Sequence, residues 1–119
     1  MSVTPSYRAY VLEQLSRAVP AVRARAMFGG VGLYAGDIFF ALIADDVLYV
    51  RTDDATRPAF ESLGMPPFRP FEEHGPVMSY YQLPEEVLED TDALREWASR
   101  AIAGARTRRR RPAKRRPPK

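Results

Sequence analysis

The sequence predicts an α+β fold of two layers, in which an antiparallel sheet of four to five strands is packed by N-terminal, middle and C-terminal helices. Three observations lead there. Helix-period apolar stripes stand near both ends of residues 1–105, and between them four short runs change to strand-like patterning. The links between those runs are far shorter than the dozen or more residues that a parallel crossover needs. Neighbouring runs therefore pair as hairpins, and the order α-β-β-β-β-α-β-α leaves the helices to cover the sheet as one layer.

Thr4-Pro5 reads as an N-cap followed by proline in the first helical position. Tyr7, Tyr10, Val11, Leu15 and Ala18 then recur at helical spacing until Pro20 ends the helix. From Val22 the period is two: Val22, Ala24, Ala26 and Phe28 alternate with Arg23, Arg25 and Met27, the pattern of a half-buried strand. Gly29-Gly30 punctuates, residues 31–34 form a second strand, and Ala35-Gly36-Asp37 turns the chain into the most apolar stretch, residues 38–43. Asp45-Asp46 turns it again into residues 47–51.

Asp53, Asp54 and Thr56 offer caps for a helix through Phe60 and Leu63, with Pro58 in its first turn and Gly64 at the C′ position. Residues 65–73 form a proline-interrupted loop carrying Phe68 and Phe71, and residues 77–83 a further strand stopped by Pro84. Behind an Asp90 or Thr91 cap, Leu94, Trp97, Ala98, Ala101, Ile102 and Ala105 make one stripe at i, i+3, i+4, i+7, i+8 and i+11, which places Trp97 in the core.

Net charge divides the chain. Residues 1–105 hold 9 Arg, no Lys and all 15 acidic residues, a balance of −6, while residues 106–119 hold 7 Arg and 2 Lys with no acid, a balance of +9. The segment after Ala105 bears prolines and no aliphatic side chain larger than alanine, so it is expected to be a disordered basic tail beside a domain of residues 1–105. Arg106, Arg108, Arg109, Arg110, Arg111, Lys114, Arg115, Arg116 and Lys119 are its candidate nucleic-acid contacts, attracting phosphate without reading sequence. Arginine's excess over lysine suits phosphate recognition, and equally a GC-rich genome.

Catalysis has little to work with. No cysteine is present, which removes disulfides, thiolate nucleophiles and Cys-based metal sites. His74, the single histidine, stands in what reads as a solvated turn, and no serine sits in a G-x-S-x-G elbow. Asp45-Asp46 and Asp53-Asp54 are explained by turns and caps without a metal. Gly30-Val31-Gly32-Leu33-Tyr34-Ala35 satisfies G-x-G-x-x-A, but a strand and a turn follow where the dinucleotide fingerprint needs a helix N-terminus. No enzyme activity, cofactor or metal is therefore expected. No apolar run approaches the ~20 residues of a membrane span, and no signal-peptide pattern opens the chain, so the expected compartment is cytoplasmic.

The aromatics of the strands, among them Tyr34, Phe39, Tyr49 and Tyr80, read as core or interface packing rather than as base-stacking platforms, since only Arg51 is interleaved with the apolar strands. Both alternating sets of residues 38–43 are apolar, and one layer of helices covers only one face. Phe39, Ala41, Ile43, Val47 and Tyr49 are accordingly candidates for an interface on the second face, with a homodimer or stable partner complex burying them unless the 65–73 loop does so.

Several blocks together carry a family resemblance. Arg25-Ala26-Met27-Phe28-Gly29-Gly30-Val31-Gly32-Leu33-Tyr34, Gly36-Asp37-Ile38-Phe39-Phe40-Ala41-Leu42-Ile43, Leu48-Tyr49-Val50-Arg51, Pro67-Phe68, Met78-Ser79-Tyr80-Tyr81-Gln82-Leu83-Pro84 and Leu94-Arg95-Glu96-Trp97-Ala98 resemble the N-terminal domain of the TfoX/Sxy family, in order and over residues 25–105. The resemblance implies a secretion-chaperone-like two-layer fold, a bacterial cytoplasm and a link to competence regulation, where full-length relatives act as coactivators beside a DNA-bound activator. It transfers no functional residue set, and the basic tail stands where those relatives carry a second, helical domain. The expected function is a non-enzymatic regulatory or binding module, transcription-associated, with a protein partner and a DNA-attracted tail. The alternative is a protein-interaction or chaperone-like module whose tail only solubilises.

Overall fold

The computed structural model describes residues 3–27, 29–68 and 79–110, with side chains through residue 106. The elements run α1 Pro5–Ala18, β1 Val22–Met27, β2 Gly30–Ala35, β3 Ile38–Ala44, β4 Val47–Arg51, α2 Arg57–Ser62, β5 Tyr80–Gln82, α3 Glu85–Leu88 and α4 Thr91–Arg110. The strands form one antiparallel sheet in the order β1-β2-β3-β4-β5. This is the two-layer α+β fold that the hairpin spacings predict.

Each cap has a named cause. The Thr4 hydroxyl accepts from the Tyr7 amide at 3.3 Å, Pro5 occupies the first turn, and the Val19 amide closes α1 on the Leu15 carbonyl at 2.7 Å. The Thr4 amide and hydroxyl also donate to the Asp46 carboxylate at 2.8 and 2.9 Å. Asp45 and Asp46 both hold positive φ, 52° and 57°, as a two-residue hairpin turn matched to strand twist requires. The same turn thus joins β3 to β4 and moors the start of α1.

Helix-facing side chains of the sheet, including Leu33, Phe40, Ile43, Leu48 and Val50, pack against Val11 and Leu15 of α1 and Leu94, Ala98 and Ala101 of α4. Trp97 lies at the rim of this core rather than inside it. It is half-buried, with its ring edge-to-face against Phe60 at 4.9 Å.

Strict alternation along β3 fails. Leu33 of β2 pairs with Ala41 and Tyr34 with Phe39, so Phe40 is an extra residue, a bulge opposite the Leu33/Tyr34 step. Phe40 and Ala41 both join the helix-side core as a result, and Phe39, Leu42 and Ala44 point outward. Two of the five expected interface residues, Ala41 and Ile43, are therefore core residues, each 0% exposed.

Two further differences follow from local chemistry. α3 was not expected: its four residues are too short for a period to register, and Glu85-Glu86 in its first turn complements the helix dipole behind Pro84. The last helix, expected to stop at Ala105, continues to Arg110. Arginine is a good helix former, and cations in a last turn offset the negative end of the dipole, so the basic run extends the helix instead of ending it. Asp90 starts that helix, its Oδ1 accepting from the Asp92 and Ala93 amides at 3.0 and 3.2 Å. Of the expected strand at residues 77–83, β5 accounts for Tyr80–Gln82, while Val77 and Met78 lie outside the described residues.

Two predictions follow from the packing. Leu94→Ala should cost about 3 kcal/mol and Trp97→Ala only about 2 kcal/mol, because the tryptophan is only partly buried, at the rim of the core. Urea unfolding of the two variants checks the order, and a larger loss for Trp97→Ala would put its ring in the core. Burial, with Glu85 and Asp46 nearby, pushes the Tyr7 phenol up to about 12. The folded state favours the neutral phenol, so Tyr7's contribution is complete below pH ~10 and is lost as pH rises from there towards 12. Unfolding measured across that window should lose this part of its pH dependence in Tyr7→Phe.

Candidate functional site

All four helices of the described residues lie on one side of the sheet, and the other side is built by register. Arg23 pairs with Tyr34 and Arg25 with Gly32 across β1–β2, Tyr34 with Phe39 and Gly32 with Leu42 across β2–β3, and Leu42 with Tyr49 across β3–β4. Arg51 pairs with Tyr80 across β4–β5. Paired residues share a face, so three arginines and four aromatic rings stand on one surface.

The rings form a row. Tyr34 stacks on Phe39 at 5.2 Å, Phe39 lies 5.6 Å from Tyr80, and the Arg51 guanidinium sits 5.8 Å over the Tyr80 ring. Gly32 makes the row possible, since a Cβ there would stand 2.7 Å from Met27 Cε and 3.2 Å from Phe39 Cε1. Burial pushes the Tyr80 phenol up, partly offset by Arg51, and burial with Asp45 nearby raises that of Tyr49.

Of the expected interface set, Phe39, Val47 and Tyr49 are on this face and half-buried. The loop covers part of it, as Phe68 packs on Tyr49 at 5.0 Å and its amide donates to the Tyr80 carbonyl at 2.7 Å. Among the described residues the large apolar side chains that stand exposed are Tyr10 and Leu63, both away from this face. Arg23 and Arg25 were missed as partners of the aromatics. The signal is the short β1–β2 link, which pairs Met27 with Gly30 and so Arg23 with Tyr34, together with the Gly36-Asp37 turn, which pairs Ala35 with Ile38 and so Tyr34 with Phe39.

At the far end of β4 a polar cleft of about 710 Å³ opens between the turn into α2 and the C-terminal half of α4, with Arg51, Asp53, Ser79 and Arg100 among its lining. Asp53 organises it. Its Oδ1 accepts from the Ala55 and Thr56 amides and the Thr56 hydroxyl at 3.0, 2.9 and 3.1 Å. Burial alone would raise its carboxyl, but the donors of Thr56 and Ala55 outweigh burial and hold it below its ordinary value. Arg57 and Arg100 are paired with Asp54 and Glu96, whereas no ion pair among the described residues engages Arg51.

Of the tail residues, Arg106 is exposed on α4, and Arg108, Arg109 and Arg110 lie in its last helical turn. Arg111, Lys114, Arg115, Arg116 and Lys119 lie outside the described residues, as does His74. No cluster of three or more metal-ligating side chains occurs among the described residues, and none of their helices is long and apolar enough to cross a membrane. Asp45, Asp46 and Asp53 serve as turn and cap, and the G-x-G-x-x-A residues form β2 without a following helix.

The fold and this face define a class: a small α+β domain with helices on one side of the sheet and, on the other, an aromatic face bearing arginines that Phe68 covers in part. The chain belongs to the TfoX N-terminal domain family, whose model matches residues 13–105. It is also 47% identical over 45 residues to the DNA transformation protein TfoX1 of Aliivibrio fischeri, a match covering 38% of this chain and 22% of that protein. The matched stretch is thus about a fifth of that relative's length.

The Asp53 cleft gives a sharp test. Glycine to alanine within a helix normally gains about 1 kcal/mol. At Gly104 the added Cβ would stand 2.6 Å from Asp53 Oδ2, whose partner oxygen is anchored by three donors. Gly104→Ala should therefore destabilise the wild type and stabilise an Asp53→Ala background, which a double-mutant cycle by urea unfolding measures. The same sign in both backgrounds would disprove the clash.

Proposed function

We propose that this chain is a non-enzymatic, cytoplasmic regulatory domain that engages a partner protein while the basic end of α4 adds non-specific affinity for duplex DNA. The observation that carries this reading is the continuity of α4. The helix that packs the core runs without a break as far as Arg110, so the first residues of the basic run belong to the domain's last helix. The family assignment and the transformation-protein name of the relative support a competence-related regulatory role. A regulatory protein is a better partner than a second copy. With Ala41 and Ile43 in the core and Phe68 on Tyr49, the outward face no longer demands an apolar cover.

Residues 1–105 carry −6 and residues 106–119 carry +9, so duplex DNA attracts one end and is repelled by the other. Binding should be weak, sequence-tolerant and dependent on salt. With about five phosphates neutralised, log K should fall against log salt with a slope near −4 to −5. Fluorescence anisotropy of a labelled duplex at two salt concentrations checks this. Deleting residues 106–119 should abolish binding and leave the melting temperature nearly unchanged. Sequence-selective duplex binding that survives the deletion would overturn the reading, and no duplex binding by either form at low salt would favour a solubilising tail.

A further inference from the structure

We propose that the outward face of the sheet binds single-stranded nucleic acid, with bases stacked on Tyr34 and Phe39 and phosphates held by Arg23, Arg25 and Arg51. This goes beyond the duplex attraction of the basic helix end and is independent of it.

Four observations point to that occupant. The face is ordered as a row, Arg23 beside Tyr34, Tyr34 stacked on Phe39, Phe39 against Tyr80 and Arg51 over Tyr80, so aromatic faces are flanked by a cation at each end. None of the five strands contains an acidic residue, although residues 1–105 as a whole are net negative. Four arginines of the helix layer, Arg17, Arg57, Arg95 and Arg100, are paired with a carboxylate, whereas among the described residues no ion pair engages Arg23, Arg25 or Arg51 of the sheet, or Arg8 of α1. Arg23 and Arg25 are exposed, and Tyr34 and Phe39 are half-buried rather than sealed.

The chemistry selects among anionic partners. A phosphate chain needs the arginines but not the rings, and a protein partner usually anchors in a desolvated apolar pocket, whereas the partly exposed rings of this row, Tyr34 and Phe39, stand beside exposed arginines. A single strand uses both, because each base has a π-face and each link a phosphate. Duplex DNA keeps its bases stacked on one another and shows this face only its backbone. The stretch from β1 to β4 covers three interstrand steps, roughly 15 Å, comparable with sheets that stack about two or three bases.

The test uses the full chain. At about 200 mM salt, where attraction through the tail is weakened, anisotropy compares a labelled oligothymidylate with a duplex of equal length and with an abasic strand of equal charge. Oligothymidylate should bind at least about tenfold more tightly than either. Arg23→Gln with Arg25→Gln, and separately Tyr34→Ala, should each weaken it about tenfold and leave duplex binding at low salt unchanged. Equal affinity for the abasic strand, no preference over the duplex, or folded variants that bind oligothymidylate as wild type does would overturn the proposal. Photo-crosslinking of the unaltered chain to a 4-thiothymidine strand needs no variant to fold. Crosslinks on the peptide carrying Tyr34 or Phe39 support the site, and crosslinks confined to residues 106–119 overturn it. Loss of duplex binding alone would fault the regulatory reading and leave this site standing.

Discussion

The bulge at Phe40 decides which side of the molecule every residue of the central strand serves. β3 is apolar along its whole length, so hydrophobicity alone gives it no inside or outside. One extra residue opposite the Leu33/Tyr34 step puts Phe40 and Ala41 together into the helix-side core, where both are 0% exposed. The phase on either side of the bulge then sends Phe39 and Leu42 outward. With strict alternation Phe39 would share its face with Ala41 and Ile43, and the core would lose two of its closest-packed residues. Because packing at native density tolerates no such vacancy cheaply, the bulge is fixed by the core and the outward aromatic row inherits its position from it.

Four aspartates of this chain set its geometry. Asp45 and Asp46 make the β3–β4 turn, Asp53 holds the entry to α2, and Asp90 caps α4. Each needs a carboxylate or a small polar side chain at that spot, which places negative charge at element ends and keeps it out of the strands. The sheet is left with arginine as its only charged residue type, at Arg23, Arg25 and Arg51. Charge separation at the chain's C-terminal end has a different origin, since there the arginines are clustered in sequence, beginning in the last turns of α4.

Much of the fold was readable because its turns are short and chemically explicit. Thr4-Pro5, Gly36-Asp37, Asp45-Asp46 and Asp90 each mark a boundary within a residue or so of where the element begins or ends. What escaped reading had no pattern to offer. A seven-residue apolar strand carries no phase from which a bulge could be inferred, a four-residue helix such as α3 shows no period, and an arginine run is as compatible with helix as with disorder until a preceding helix supplies the nucleus. The outward site was half legible. The solvent side of β1 and the aromatics of β2 and β3 were both visible, but their meeting on one face depends on register across two hairpins, which is a property of turn lengths rather than of composition.

Arg23 and Arg25 also sit on β1, the edge strand of the sheet, where charged side chains commonly discourage pairing with another chain. Edge protection explains why those positions are polar, but not the rest of the face. A guard needs only a charge directed along the open edge. Arg23 instead donates through Nε and one Nη to the Gly36 carbonyl, at 3.2 and 2.9 Å, which draws it across towards the β2–β3 turn and the Tyr34 position. Arg51 lies next to the opposite edge strand, β5, with its guanidinium over Tyr80, and guards no open edge, because residues 66–68 already pair alongside β5. Nor does edge protection require Gly32, whose missing side chain leaves room for Met27 and Phe39 beside the Tyr34–Phe39 pair. Arginines at both ends of a row of rings, with a glycine beneath its middle, make a surface shaped for a flat, anionic partner.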